Sequence, residues 1–290
     1  KLPLIQRVKL DRWNFGNNDI TESLDSSNVP DFTNLGENPK LIQVGTTTVF
    51  QQLSPDLANK GVIFTDFYSA LEEIPEIIEQ YFGTALPFDE DKLTAYHTAY
   101  FNSAAVLYVP DNVEVNVPVE GLFYQDSDEA VPFNKHVLII VGKHAKLSYL
   151  ERFESLGKDS VKNTANIAVE VIALEEAQVK FSAIDRLGSN LTTFISRRGR
   201  LNKNAQIDWN LGVMNEGNVV ADFDSDLVGE GSHAELKAVA ISSGKQIQGI
   251  DTRVTNYAPH SIGHILQHGV ILEAGTLTFN GIGHIIRGAK

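Results

Sequence analysis

The chain has 290 residues, 42% of them apolar and 21% charged, enough for one large domain or for a core with smaller flanking parts. A formal net charge of −13 argues against a general nucleic-acid binder, which needs clustered lysine and arginine to neutralise phosphates. The absence of cysteine excludes disulfides, thiolate metal ligands and a cysteine nucleophile, and no stretch approaches the roughly 18–20 apolar residues of a membrane span.

The opening, Lys1-Leu-Pro-Leu-Ile-Gln-Arg7, has no apolar signal core, no small-residue cleavage site and no initiator methionine. The chain is therefore expected to begin inside its gene product and, lacking an export signal, to act in the cytoplasm. Residues 1–40 are polar and irregular and read as an extended arm. Residues 41–103 read as a helical segment. Ser54-Pro55 sets an N-cap with proline at the first helical position, and Gly61 ends that short helix. Over 66–82, Phe67, Ala70, Leu71, Ile74, Ile77, Ile78 and Tyr81 recur at helical spacing opposite a glutamate face. Pro75 should kink or restart that helix and Gly83 should stop it, with a further helix at about 90–102.

From Ala104 the period changes from 3.6 to 2. Val113, Val115, Val117 and Val119 alternate with polar residues, Pro118 hints at an edge or first rung, and Val137-Leu-Ile-Ile-Val141 reads as a fully buried strand. From about residue 145 a phrase returns on a beat of about fourteen residues: a small or polar residue followed by apolar positions two and four places on. Ala145-Lys-Leu147-Ser-Tyr149, Ala177-Gln-Val179-Lys-Phe181, Ala205-Gln-Ile207-Asp-Trp209 and Gly275-Thr-Leu277-Thr-Phe279 are examples. Many half-buried strands at even spacing mean a stacked β coil over 104–290, because one rung cannot bury its apolar face alone. The final Ile285-Ile286-Arg287-Gly288-Ala289-Lys290 looks like the start of another rung, so a C-terminal cap is expected to exist but to be absent from this chain.

Several groups invite chemistry. Gly229-Glu-Gly231-Ser-His-Ala234 with Asp251 mimics a dinucleotide fingerprint, but a strand follows it where the mechanism needs a helix. No GxxxxGK[ST] is present. Asp222, Asp224 and Asp226 share one strand face, expected to be solvated, with metal binding as the alternative. Arg197-Arg198-Gly199-Arg200 is the dense basic cluster, expected on a solvated turn, with a docking patch for an acidic partner as the alternative. His260, His264 and His268 are the metal-ligand candidates, with Glu273 nearby. Spacing by four keeps all three on one strand face, spread over roughly 26 Å if straight, unless a corner near Pro259 brings two together. His284 belongs to the next rung.

At Lys9-Leu-Asp-Arg-Trp13-Asn-Phe15, Gly61-Val-Ile-Phe-Thr-Asp-Phe-Tyr-Ser-Ala-Leu-Glu-Glu73, Pro110-Asp-Asn-Val-Glu-Val-Asn-Val-Pro118, Val137-Leu-Ile-Ile-Val-Gly-Lys-His-Ala145 and Phe279-Asn-Gly-Ile-Gly-His-Ile285 the chain resembles the SufB/SufD family. The likeness runs over nearly the whole chain, and Arg12-Trp13-Asn14-Phe15 is closer to the SufD branch. The resemblance implies a mainly β protein with a right-handed parallel β-helix (solenoid) core flanked by helical segments. It further implies a subunit of the iron–sulfur cluster assembly machine that partners SufB and the ATPase SufC. In that family a C-terminal helical segment docks SufC, and a histidine there in a His-Gly-Ala or His-Ala-Ala motif is tied to cluster assembly. Both are expected beyond Lys290. Without cysteine the chain alone should bind no cofactor, and the Fe–S cluster would be assembled with SufB.

The expected function is a non-catalytic scaffold. The alternative is a β-solenoid enzyme acting on a polymer such as polysaccharide, with Asp222, Asp224, Asp226, Arg197 and Arg198 gathered on an outer face. Exposed edge strands would also permit a homodimer.

Overall fold

The computed structural model describes residues 35–128, 131–157 and 161–289. Of the arm expected over 1–40, residues 1–34, with the Lys9–Phe15 block, lie outside the described residues, and Lys40 already begins the first strand. The described chain opens on a hairpin, β1 (Lys40–Val44) and β2 (Thr47–Gln52), followed by α1 (Pro55–Asn59) and β3 (Ile63–Asp66). Next come α2 (Phe67–Glu73), α3 (Pro75–Tyr81), α4 (Lys92–Tyr100) and β4 (Ser103–Val109). The helix punctuation follows the sequence. The Ser54 side chain accepts from the Leu57 amide, and Asp66 caps α2 by accepting from the Tyr68 and Ser69 amides. Pro75 restarts the chain as α3, and Gly83 sits beyond it at φ +74.

The 41–103 segment is not helical throughout, because it also carries β1, β2 and β3. Leu41, Ile42 and Val44 are fully buried, since β1 joins the coil in parallel register with β5 (Val119–Asp126), Lys40 opposite Glu120. Tertiary burial decides the state of such short apolar runs. Residues 113–117 pair with the coil through one bridge, Glu114 to Lys146, with Val115 buried in its core and Val117 exposed, so regular pairing begins at Val119.

The coil proper continues as β6 (Phe133–Val141), β7 (Lys146–Leu156), β8 (Asn163–Ala173), β9 (Gln178–Arg186), β10 (Leu191–Leu201) and β11 (Gln206–Val213). It ends in β12 (Asn218–Leu227), β13 (His233–Ser242), β14 (Ile247–Asn256), β15 (Ile262–Ile271) and β16 (Thr276–Ile285). Odd strands stack in the order β15-β13-β11-β9-β7-β5-β1-β2 and even strands as β16-β14-β12-β10-β8-β6-β4-β3. From β5 to β16 all neighbours are parallel, giving a solenoid of about six turns. Register sets Gln178 beside Gln206 and Gln206 beside His233, so one coil takes about 28 residues and the fourteen-residue beat is a half coil.

The phrase has a physical basis at each corner. His144, Glu176 and Asn204 adopt left-handed φ values of 56°, 58° and 54°, and each is followed by a fully buried alanine, Ala145, Ala177 or Ala205. The corner folds over the alanine, which has no exposed surface in any of the three. The next inward positions stack between rungs: Tyr149 on Phe181 at 5.2 Å, and Phe181 on Trp209 at 4.7 Å between ring centroids. Each such side chain contributes roughly 1.5–3 kcal/mol of burial. A second, smaller core lies outside the even-strand sheet, where Ala70, Ile78 and Ala85 cover Val106, Leu138, Ile140 and Ile172. With the coil interior on one side and these helices on the other, β6 is buried along its whole length. No helix among the described residues is long and apolar enough to cross a membrane.

Candidate metal centre and buried ion pairs

The three histidines expected to share a face do not converge. His264 and His268 lie on β15, which runs without a corner, so they stand about 13 Å apart along the strand. His260 occupies the corner before β15 at φ +58, the position held by His144, Glu176 and Asn204 in earlier coils. Glu273 takes the corresponding position after β15, at φ +56. Parallel pairing instead sets His264 opposite Glu235 on β13, with His233 two residues before Glu235 on the same outer face. His264 Nδ1 stands 2.7 Å and His233 Nε2 3.0 Å from the same carboxylate oxygen, Glu235 Oε1. Hydrogen bonding from His264, helped by His233, holds the Glu235 carboxyl below its usual range against the opposing effect of burial.

The basic cluster is neither a solvated turn nor a docking patch. It lies within β10, where alternation sends Arg197 into the coil and Arg198 out of it. Arg197 is fully buried. Its Nη1 and Nη2 hold Asp185 bidentately at 2.9 and 2.7 Å, and Nη2 reaches Glu151 at 2.8 Å. The rings of Phe153, Phe181 and Phe223 surround the guanidinium. One cation thus faces two carboxylates in an apolar interior. Burial pushes the Glu151 carboxyl up to about 7 despite Arg197, and Tyr149 Oη lies 3.5 Å from its second oxygen. Two coils away, Lys135 is also fully buried, donating to Ser103 Oγ at 2.7 Å and lying over the Phe123 ring. Burial holds its ammonium well below its ordinary pKa.

Asp222, Asp224 and Asp226 do share the outer face of β12, but that face is covered at the first two. Arg198 donates to Asp224 at 2.9 Å and also binds Glu90, which descends from the loop before α4, while Arg253 binds Asp224. Asp224 is thus paired with two guanidinium groups rather than solvated. Burial, then the neighbouring Asp224 charge, keeps Asp222 well above the usual carboxylate range. Glu170 clamps the same N-terminal segment, accepting from the amides of Gly83 (2.8 Å), Ala85 (2.9 Å) and Leu86 (3.0 Å). His136 Nε2 stands 3.1 Å from Glu170, and His97 Nε2 stands 3.1 Å from His136 Nδ1. Burial, then the charge of His136, lowers His97 to about 3.

Sequence reasoning missed Glu90, Glu151, Asp185, His233 and Glu235. Glu235 and His264 are 29 residues apart. Counting one coil along the beat would have paired them.

These features describe a β-solenoid protein in which several charged side chains, Arg197, Glu151, Asp185 and Glu170 among them, are buried in internal pairs. The SufBD core domain of the SUF iron–sulfur cluster assembly system matches residues 123–290, and the SufBD N-terminal region matches residues 36–120. The chain belongs to the SufBD family. It is 35% identical to the iron–sulfur cluster assembly protein SufD of Bacillus subtilis, over all of this chain and 69% of that protein. A SufBD family protein of Staphylococcus saprophyticus is 26% identical over 86% of this chain and 53% of its own length, and one of Staphylococcus epidermidis matches to the same extent. The chain thus spans between about half and about two thirds of these relatives.

Proposed function

We propose that the protein is a non-catalytic scaffold of the SUF system, working in the cytoplasm with SufB and the ATPase SufC, and that the Fe–S cluster is its cargo. The observation that carries this reading is the pair of SufBD matches, which follow one another along residues 36–120 and 123–290. The cluster would be built with SufB, since this sequence offers no thiolate to hold it.

The polymer-cutting alternative needs two carboxylates aimed into a groove. Asp222 and Asp224 are buried and bound to Arg198, Arg253 or both. The groove of about 950 Å³ along the corners near Asn190 and Gly217 is lined, among the described residues, by Lys162, Lys245 and the single carboxylate Glu216. That lining favours the scaffold.

The test is co-expression of the full-length protein with tagged SufB and with SufC, followed by affinity purification and light scattering. The expected result is a complex containing all three proteins. Recovery of this protein alone, or as a homodimer through its free strand edges, would overturn the partnership.

A further inference from the structure

We propose that His233, Glu235 and His264 form a binding site for a divalent transition-metal ion of the borderline class, which includes Fe²⁺, Co²⁺, Ni²⁺ and Zn²⁺. The inference does not depend on the SUF reading.

The convergence is built into the backbone. Glu235 and His264 are direct partners across the β13–β15 ladder, and His233 shares their face by the period of two. The three donor atoms lie within 4.8 Å of one another, and both imidazole nitrogens approach one carboxylate oxygen at 2.7 and 3.0 Å. Tetrahedral donors at metal–ligand distances of about 2.1 Å are themselves about 3.4 Å apart, so small side-chain rotations would admit an ion. The imidazole planes are perpendicular, with centroids 5.8 Å apart, so the rings do not stack on each other.

Chemistry selects the ion. Two imidazoles with one carboxylate suit borderline transition ions, whereas Mg²⁺ and Ca²⁺ prefer all-oxygen shells. The site is partly open, with side-chain exposures of 34% at His233, 28% at Glu235 and 64% at His264, which leaves coordination positions for water or for a ligand from another molecule. Asp208 on β11 lies beside Glu235 in register and adds negative charge on the same face.

The test is titration of the full chain, purified without a histidine tag, with Co²⁺, read by visible d–d absorption and by calorimetry. One equivalent should bind, and Zn²⁺ but not Mg²⁺ should displace it. His264→Ala and Glu235→Gln should each weaken binding by about tenfold or more. His268→Ala, on the same strand but outside the cluster, should bind like the wild type. All three positions are partly or fully exposed, and unchanged thermal melting checks folding; His233→Asn serves as the second variant should either fail that check. Absence of saturable Co²⁺ binding, equal binding by the cluster variants, displacement by Mg²⁺, or loss in His268→Ala would each overturn the site.

Discussion

Arg197→Met should lower the unfolding free energy by about 3–5 kcal/mol at pH 8, because it strands Glu151 and Asp185 as buried carboxylates with no cation. Methionine fills much of the arginine volume, so the loss reports charge rather than a cavity. The deficit should shrink at pH 5, where the stranded Glu151 can take up a proton. Replacing all three residues together by apolar ones (Arg197→Met with Glu151→Leu and Asp185→Leu) should recover most of the stability, since a buried ion triad typically offers little over good apolar packing. Urea unfolding at both pH values reads each case. An Arg197→Met protein as stable as wild type at pH 8 would show that the guanidinium does not hold the interior together.

Glu151 should contribute less stability as pH rises. His97 acts with the opposite sign, because its lowered pKa of about 3 favours the folded state as pH rises toward 6.5. The effect of Glu151 is therefore read as the difference between wild type and Glu151→Gln. The Glu151 carboxyl is raised from the ordinary 4.5 to about 7, so between these values the folded state keeps a proton that the unfolded state has released. Stability from this group is complete below about pH 4.5 and is lost as pH passes through about 7. The full change is about 3 kcal/mol, from about 1.4 kcal/mol per pKa unit. Glu151→Gln, which stays neutral, should remove that slope, so the difference between the two proteins should change by this amount across the window. Glu170 does not mask it. Burial raises Glu170, but hydrogen bonding and charge from His136, then the Leu86 and Gly83 amides, outweigh burial and hold it below 4.5. Its contribution is present above pH 4.5 and is lost only as pH falls through its lowered value. Denaturant titrations between pH 4.5 and 8 that gave parallel slopes for wild type and Glu151→Gln would contradict the assignment.

The coil was legible because its cause is local. A left-handed corner, a small residue beneath it and two inward apolar positions repeat within six residues, as at His144–Tyr149, so one sequence carries the signal many times. Helix punctuation was legible for the same reason, with Ser54, Pro55, Pro75 and Gly83 acting on their immediate neighbours. What was not legible is pairing across rungs. Arg197 and Arg198 are adjacent in sequence and lie on opposite faces of the sheet, one bound to Glu151, 46 residues earlier, and the other to Glu90, 108 residues earlier. Charge density in a sequence window cannot separate them. The histidines show the same limit: spacing by four along the chain pointed to His260 and His268, while the neighbours of His264 belong to the preceding coil. β1 was hidden likewise, because its parallel partner β5 lies far along the chain.

The assembly role is tested most directly by iron–sulfur enzyme activity in cells depleted of the full-length protein, in a host with no other cluster-assembly route. Depletion should lower the activity of iron–sulfur enzymes while their polypeptide levels hold, and expression of the wild-type protein should restore it. Unchanged activity after depletion would contradict the account.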